Sequence, residues 1–232
     1  IGWRAQANGF QCQRCARGPG LGRIYQIGAL QALVDSGETD VLLTTPLRGD
    51  GKFRNCTIWF RAGHSPRIVY SKIHLFDVDV EGAPPVRESD HFHPGEAPAV
   101  LHVKGWKIGL SICYDLRFAE LYLRYAQSVD LILIPAAFLV PTGEAHWHVL
   151  VRARAIEAQA YVAAPAQAGG HRSVGRPSAV RATYGHSLVV DPWGVVLADL
   201  GSGVGLKVVT LEREAIAKVR RQIPMAGHRR LK

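Results

Sequence analysis

The segment Ser111-Ile112-Cys113-Tyr114-Asp115-Leu116-Arg117-Phe118 constrains this chain most, because it places a thiol where an apolar strand over residues 107–112 hands over to a helix. A side chain at such a turn lies beside the exposed N–H groups of a helix start, where a thiolate and a developing oxyanion are both stabilised. A lone cysteine is more often a small buried hydrophobe. Cys113 therefore gains meaning only from what accompanies it.

Two further segments carry reactive groups. Residues 69–77 form an apolar, β-branched run that presents Lys72, and Glu88 follows in Arg87-Glu88-Ser89-Asp90, ahead of Pro94-Gly95. Read singly, Lys72 is a solvated charge at a strand end and Glu88 an ordinary loop acid.

Apolar runs and turn signals predict strands at 41–45, 55–61, 67–71, 107–112, 130–134, 161–166, 187–191, 195–199 and 206–211, with helices at 116–127, 145–159 and 212–222. Strands mixed with helices in this order are an α/β pattern. In the middle helix Trp147, Leu150, Val151, Ala155 and Ala158 recur at helical spacing, a stripe suited to packing on a sheet. Asp191-Pro192-Trp193-Gly194 reads as a hairpin turn, and 172–181 as a Pro/Gly-rich basic loop.

The 232 residues are 47% hydrophobic without any apolar run of membrane-spanning length or a signal-peptide pattern, so one soluble domain is expected, with no membrane partner. The formal charge of +9 could favour acidic substrates. No basic helix, aromatic platform or finger spacing accompanies it, so specific nucleic-acid binding is not expected. Of the four cysteines, Cys56 reads as core, while Cys12 and Cys15 have the spacing of half a zinc site that no second pair completes. His91 and His93, like His146 and His148, lie two apart with no carboxylate or third ligand at a recognised spacing. Loop or packing roles are expected for them, and no metal is assigned. Glycine runs at 18–22 and 201–205 lack the strand and helix that flank a nucleotide loop, and no Gly-x-Ser-x-Gly elbow is present.

Taken together, segments 70–80, 88–89, 107–118, 135–138, 142–147, 152–157, 184–187, 191–194 and 228–230 resemble, in one order, the nitrilase superfamily of carbon–nitrogen hydrolases. The likeness is to its amidase branch, which includes omega-amidase and deaminated glutathione amidase. The resemblance implies a four-layer α-β-β-α sandwich, a homodimer, no cofactor, and cleavage of a linear amide of a small carboxylic acid through a cysteine thioester, with release of ammonia. Carried over by motif, Cys113 is the nucleophile, Lys72 and the Tyr114 amide stabilise the oxyanion, and Glu88 is the supporting second glutamate. Arg117 buttresses the acidic cluster, binds a substrate carboxylate or makes a structural ion pair. Phe138, Thr142 and Glu144 fall on the loop after the strand ending at Pro135, which shapes the substrate pocket in the family. The runs at 166–171 and 184–187 look closer to the deaminated glutathione amidases than to the plain omega-amidases. A reducing cytoplasm suits a catalytic thiol.

One departure matters as much as the match. The family's general-base glutamate sits in a Pro-Glu step at the end of an early strand, yet residues 1–34 contain no Asp or Glu, and Asp35, Glu38 and Asp40 lie at a helix-to-strand junction. Residues 1–40 are thus expected to be an atypical or incomplete opening unit ahead of a hydrolase domain at 41–232. Either a damaged or out-of-frame stretch replaces that unit, the explanation the composition favours, or a divergent member does without the base or borrows Glu38. On either account the expected alternative is a catalytically impaired relative.

Overall fold

The computed structural model describes residues 2–7, 21–37, 39–49, 51–79, 81, 85–173 and 176–230. In chain order the elements are β1 (Gly2–Ala7), α1 (Leu21–Asp35), β2 (Val41–Arg48), β3 (Phe53–Phe60), β4 (Arg67–Ser71), β5 (Asp77–Val78), β6 (Val86–Arg87), β7 (Ala99–Val103) and β8 (Trp106–Leu110). There follow α2 (Ala119–Tyr125), β9 (Leu131–Leu133), α3 (Val140–Ala158), β10 (Tyr161–Ala164), β11 (Ala168–Ser173), β12 (Arg176–Tyr184), β13 (Leu188–Val190), β14 (Val196–Asp199), β15 (Gly205–Thr210), α4 (Arg213–Gln222) and α5 (Met225–His228). The chain is α/β, as expected, and divides into two compact units.

The larger unit is built on a six-stranded sheet in the order β14-β13-β10-β9-β8-β7. Its middle strands β8, β9 and β10 run parallel, and their side chains Ile108, Leu110, Leu131, Ile132 and Val162 are buried. Continuous apolar runs suit strands covered on both faces. β7 alternates, burying Leu101 and Val103 while exposing Val100, as an edge strand does. That strand was not expected from sequence, because its polar His102 and exposed Val100 blur the apolar run. The helix α3 buries Trp147, Val151, Ala155 and Ala158 from the foreseen stripe, with Leu150 only part-buried. It stops where Gln159 turns left-handed (φ 50°), and the Ala160 N–H reaches back to the Ala155 carbonyl. Asp191 does close the β13–β14 turn: its Oδ1 accepts from the Trp193 and Val195 N–H groups.

The smaller unit holds the antiparallel sheet β2-β3-β4 and the short pair β5-β6. Here α1 lays Leu30 and Val34 against Ile58 and Phe60. Residues 1–30 show no amphipathic periodicity, yet α1 begins at Leu21, and β1 pairs antiparallel with β15 over Gly2↔Thr210 to Ala7↔Gly205. Among the described side chains of α1, the stripe that packs on the sheet is Leu30 and Val34, which leaves little periodic trace. The segment 172–181, expected as a loop, is largely strand, since β11 pairs with β12. Cross-strand pairing there outweighs its Pro/Gly content. Among the described residues no helix is long and apolar enough to cross a membrane.

Candidate active site

The thiol of Cys113 lies just past the carboxyl end of β8. Because β8, β9 and β10 are parallel, the segments that leave them emerge on one edge of the sheet, where ligands of open α/β sheets bind. They are stitched together there: the Cys113 N–H donates to the Pro135 carbonyl (2.9 Å) and the Ala136 N–H to that of Pro165 (2.9 Å). Cys113 itself has φ 51°, a left-handed conformation that is costly for a residue with a Cβ and tends to mark functional turns. Its thiol is partly exposed, whereas Cys56, at 2% exposure, is the core residue expected.

The chain continues into a 3-10 turn, Cys113–Arg117, breaks at Phe118 (φ −100°, ψ 93°) and restarts as α2. The single helix expected at 116–127 is therefore a turn and a short helix. Asp115, fully buried, holds the turn: its Oδ2 accepts from the Ile112 N–H (2.9 Å). Behind it, Tyr122 donates to Ser111 Oγ (3.0 Å), which donates to the Leu133 carbonyl (2.9 Å). The buried Arg154 donates to the Leu116 carbonyl (3.0 Å) and lies over the Tyr122 ring. Burial pushes the Tyr122 phenol well above its ordinary pKa despite the Ser111 hydrogen bond, so it serves as a neutral donor.

Around the turn, the Arg117 guanidinium lies over the rings of Phe138 (5.3 Å) and Tyr114 (5.9 Å), and its Nη1 is 3.2 Å from His146 Nδ1. Phe138 is buried against Trp147. The last two expected pocket residues are not on a loop. α3 begins at Val140, five residues earlier than expected, because Pro141 sits in its first turn, where no N–H is needed. Thr142 is thus spent on a hydrogen bond to the Leu139 carbonyl (3.2 Å), and Glu144 is exposed on the helix surface.

In the smaller unit, Lys72 directly follows β4 and is 3% exposed. Its backbone is fixed on both sides: the N–H donates to the Asn55 carbonyl (2.8 Å), and the carbonyl accepts from the Gly95 N–H (2.6 Å). The ammonium pairs with Glu88 Oε2 at 2.5 Å. Glu88 Oε2 also accepts from the Phe76 N–H, and its Oε1 from Asn55 Nδ2, each at 2.5 Å. A buried ion pair is stable only when its remaining hydrogen-bond capacity is met, and here both carboxylate oxygens are engaged. The short turn bearing Glu88 is pinned by Asp77, whose Oδ1 accepts from the Ser89 N–H (3.0 Å). Hydrogen bonds from Ser89 hold the Asp77 carboxyl below its ordinary range.

Lys72 and Glu88, 16 positions apart, are therefore brought together, as are Tyr114, Arg117 and Phe138. Sequence reasoning missed Asn55, Asp115 and His146 as partners. None belongs to a local pattern, for Asp115 caps a turn that opens on Ile112 rather than on Ser or Thr. Asp35 and Asp40 accept structural hydrogen bonds, from the Gly63 N–H and Trp59 Nε1, and Glu38 lies outside the described residues. So do Cys12 and Cys15.

The family model described as carbon-nitrogen hydrolase matches residues 27–221. Deaminated glutathione amidase of Rattus norvegicus is 44% identical over 182 residues, 77% of this chain and 54% of that protein. The chain thus spans about half the length of the curated relatives it matches. The crystal structure of the C. elegans NitFhit protein superposes with a TM-score of 0.77 at 33% identity, over 88% of this chain and 50% of that one. A Glu-to-Gln mutant of the amidase from Nesterenkonia sp. AN1, TM-score 0.66 and 25% identity over 88% of this chain and 73% of that one, shows covalent addition of the acetamide moiety of fluoroacetamide at the active site cysteine.

Proposed function

The chain belongs to the carbon-nitrogen hydrolase family, and we propose that it is an amidase cleaving a linear amide of a small carboxylic acid through a thioester on Cys113. The thiol gives up its proton and its sulfur attacks the amide carbon, the carbon–nitrogen bond breaks, and that proton passes to the nitrogen, which leaves as ammonia. Water then cleaves the thioester to the carboxylic acid and returns the thiol. The left-handed turn at Cys113, on the edge where three parallel strands end, is the observation that carries this reading. A covalent adduct on the active site cysteine of the Nesterenkonia amidase supports the same role for the thiol.

Lys72, held by Glu88, supplies the oxyanion's charge in this reading, together with the Tyr114 amide. Glu88 acts as the holder of that ammonium, since both of its oxygens are already engaged. Arg117, flanked by the Tyr114 and Phe138 rings and by His146, suits the carboxylate end of the substrate. In this reading Thr142 is taken up at the start of α3 and Glu144 lies on the exposed face of that helix, and neither is assigned a substrate contact. The amides tried first are those of deaminated glutathione and of short dicarboxylic acids, because the similar curated proteins are named for the former. A homodimer in a reducing compartment completes the proposal, and light scattering of the purified chain tests the dimer.

The decisive experiment combines ammonia release with intact mass. Turnover is expected from the unaltered chain, with an acyl adduct on Cys113 building up if water activation is the slow step. Cys113→Ala should abolish both. Undiminished ammonia release from that variant would overturn the proposal.

A further inference from the structure

Outside the thiol chemistry, the larger unit gathers two imidazoles around one carboxylate. His148 projects from α3, His186 precedes β13 and Asp199 ends β14, and their ligand atoms all lie within 4.8 Å of one another. We propose that His148, His186 and Asp199 form a binding site for a zinc-type divalent cation, one that ties α3 to the β13–β14 edge independently of the proposed amidase reaction.

The donor set fits such an ion. Two neutral imidazole nitrogens and a carboxylate are the ligands that zinc and its neighbours take, with one coordination position left for water. His148 Nε2 is 2.9 Å from Asp199 Oδ2, and His186 Nδ1 is 3.0 and 3.1 Å from its two oxygens. Ligand atoms around a tetrahedral zinc stand roughly 3.4 Å apart, given bonds of about 2.1 Å. The two contacts to Asp199 therefore have to open by a few tenths of an ångström, while the imidazole nitrogens, within 4.8 Å of each other, have to draw together by up to about 1.4 Å. The nitrogens facing Asp199 would give up their protons to the far ring nitrogens or to solvent, so that lone pairs meet the metal.

The group is also built, rather than a chance meeting of surface chains. His186 adopts a left-handed backbone (φ 55°), held by its N–H to the Gly201 carbonyl (2.6 Å) and by Trp147 Nε1 donating to its own carbonyl (2.7 Å). Its ring stacks on Tyr184 with centroids 4.3 Å apart. Tyr184 can lie there only because residue 143 is glycine: a Cβ would stand 2.4 Å from the tyrosine side chain. Asp199 is oriented as well, its Oδ1 accepting from the Gly201 N–H (2.8 Å). Orienting contacts of this kind, present here around His186 and Asp199, are what metal sites require. The short spacing of His146 and His148 concealed the group, because the other two ligands lie 38 and 51 positions beyond His148.

Cobalt(II) titration followed by visible absorption tests the site in a Cys12→Ser/Cys15→Ser/Cys113→Ser chain, where those thiols cannot compete. One cobalt per chain is expected, with ligand-field bands and no thiolate charge-transfer band. Zinc should displace it and raise the apparent Tm by about 5 °C. His148→Gln, on an accessible helix face, should weaken binding by more than about tenfold, and so should His186→Asn, which tolerates the left-handed backbone. Absence of stoichiometric binding, or binding unaltered in both variants, would overturn the proposal. If the triple serine chain does not fold, the unaltered chain is titrated in its place. There a spectrum with thiolate bands alone counts against the site, and ligand-field bands lost in His148→Gln count for it. Neither readout depends on ammonia release, so the amidase reading stands or falls separately.

Discussion

The turn at Cys113 and the pair Lys72–Glu88 are built on opposite principles. The first is held through its backbone: carbonyls of neighbouring strand ends, the Asp115 carboxylate and the Arg154 guanidinium all bond main-chain groups there, and the thiol is an appendage. The second is held by side chains, a buried ammonium and carboxylate that complete each other with Asn55 and the Phe76 N–H. Chemistry and stability are therefore separable in the first region and inseparable in the second.

The largest effect expected from that contrast is at Glu88. Glu88→Ala strands an ammonium that is 3% exposed and should cost about 3 to 5 kcal/mol of folding stability in urea unfolding. Lys72→Ala should cost less, because Glu88 keeps its Asn55 and Phe76 donors. Replacing both by apolar residues should recover part of the Glu88→Ala loss, and never all of it, since those two donors then lack an acceptor. Cys113→Ala, by contrast, should stay within about 1 kcal/mol of the unaltered chain. Equal losses at Cys113 and Glu88 would break the comparison.

Next comes Gly95, which touches no reactive atom. A Cβ there would lie 2.1 Å from the Ser71 carbonyl oxygen, part of the backbone that leads into Lys72. Gly95→Ala must therefore push β4 away, at a cost of about 1 to 3 kcal/mol. It should also lower kcat, because the Gly95 N–H holds the Lys72 carbonyl. An unchanged Tm and kcat would show the side-chain region to be less tightly coupled than its geometry implies.

The backbone-held region is tested through Tyr125, which donates to the Leu110 carbonyl (2.6 Å) at the end of the strand that leads to the thiol. Burial raises its phenol to about 12, so the folded state keeps the proton more tightly than the unfolded chain does. That contribution is complete below pH 10 and lost as pH rises towards 12. Tyr125→Phe should flatten the alkaline fall in stability without removing it, since Tyr122 is raised too. It should cost about 1 kcal/mol at neutral pH. The same alkaline slope in both chains would rule out Tyr125 as the titrating group.

The same contrast decides what could be read from the sequence. The α/β class, the strands at 107–112, 130–134 and 161–166 and Cys113 at a strand end were legible, because the strands are buried apolar runs and the turn is contiguous in sequence. Lys72 and Glu88 acquired roles only through a family resemblance, as nothing local distinguishes a buried lysine from a solvated one. Asn55 and Asp115 stayed invisible because their partners are set by register and by a turn without the usual cap. The strand at 99–103 and the hairpin over 168–184 were missed where edge exposure and glycines weaken the period of two.

The smallest effect concerns Ala119. It is the first residue of α2, where no intrahelical partner exists for its N–H, and Phe118 before it has φ −100° and ψ 93°, an extended backbone that a following proline tolerates. Ala119→Pro should thus stabilise the chain by about 0.4 to 1 kcal/mol, mainly by restricting the unfolded state. Since the Cys113–Arg117 turn is already held by Asp115 and Arg154, kcat should not change. A gain in stability with unchanged turnover is what a backbone-held turn at Cys113 requires. A rise in kcat would mean instead that the turn is loose in the alanine chain and that its geometry is set from α2.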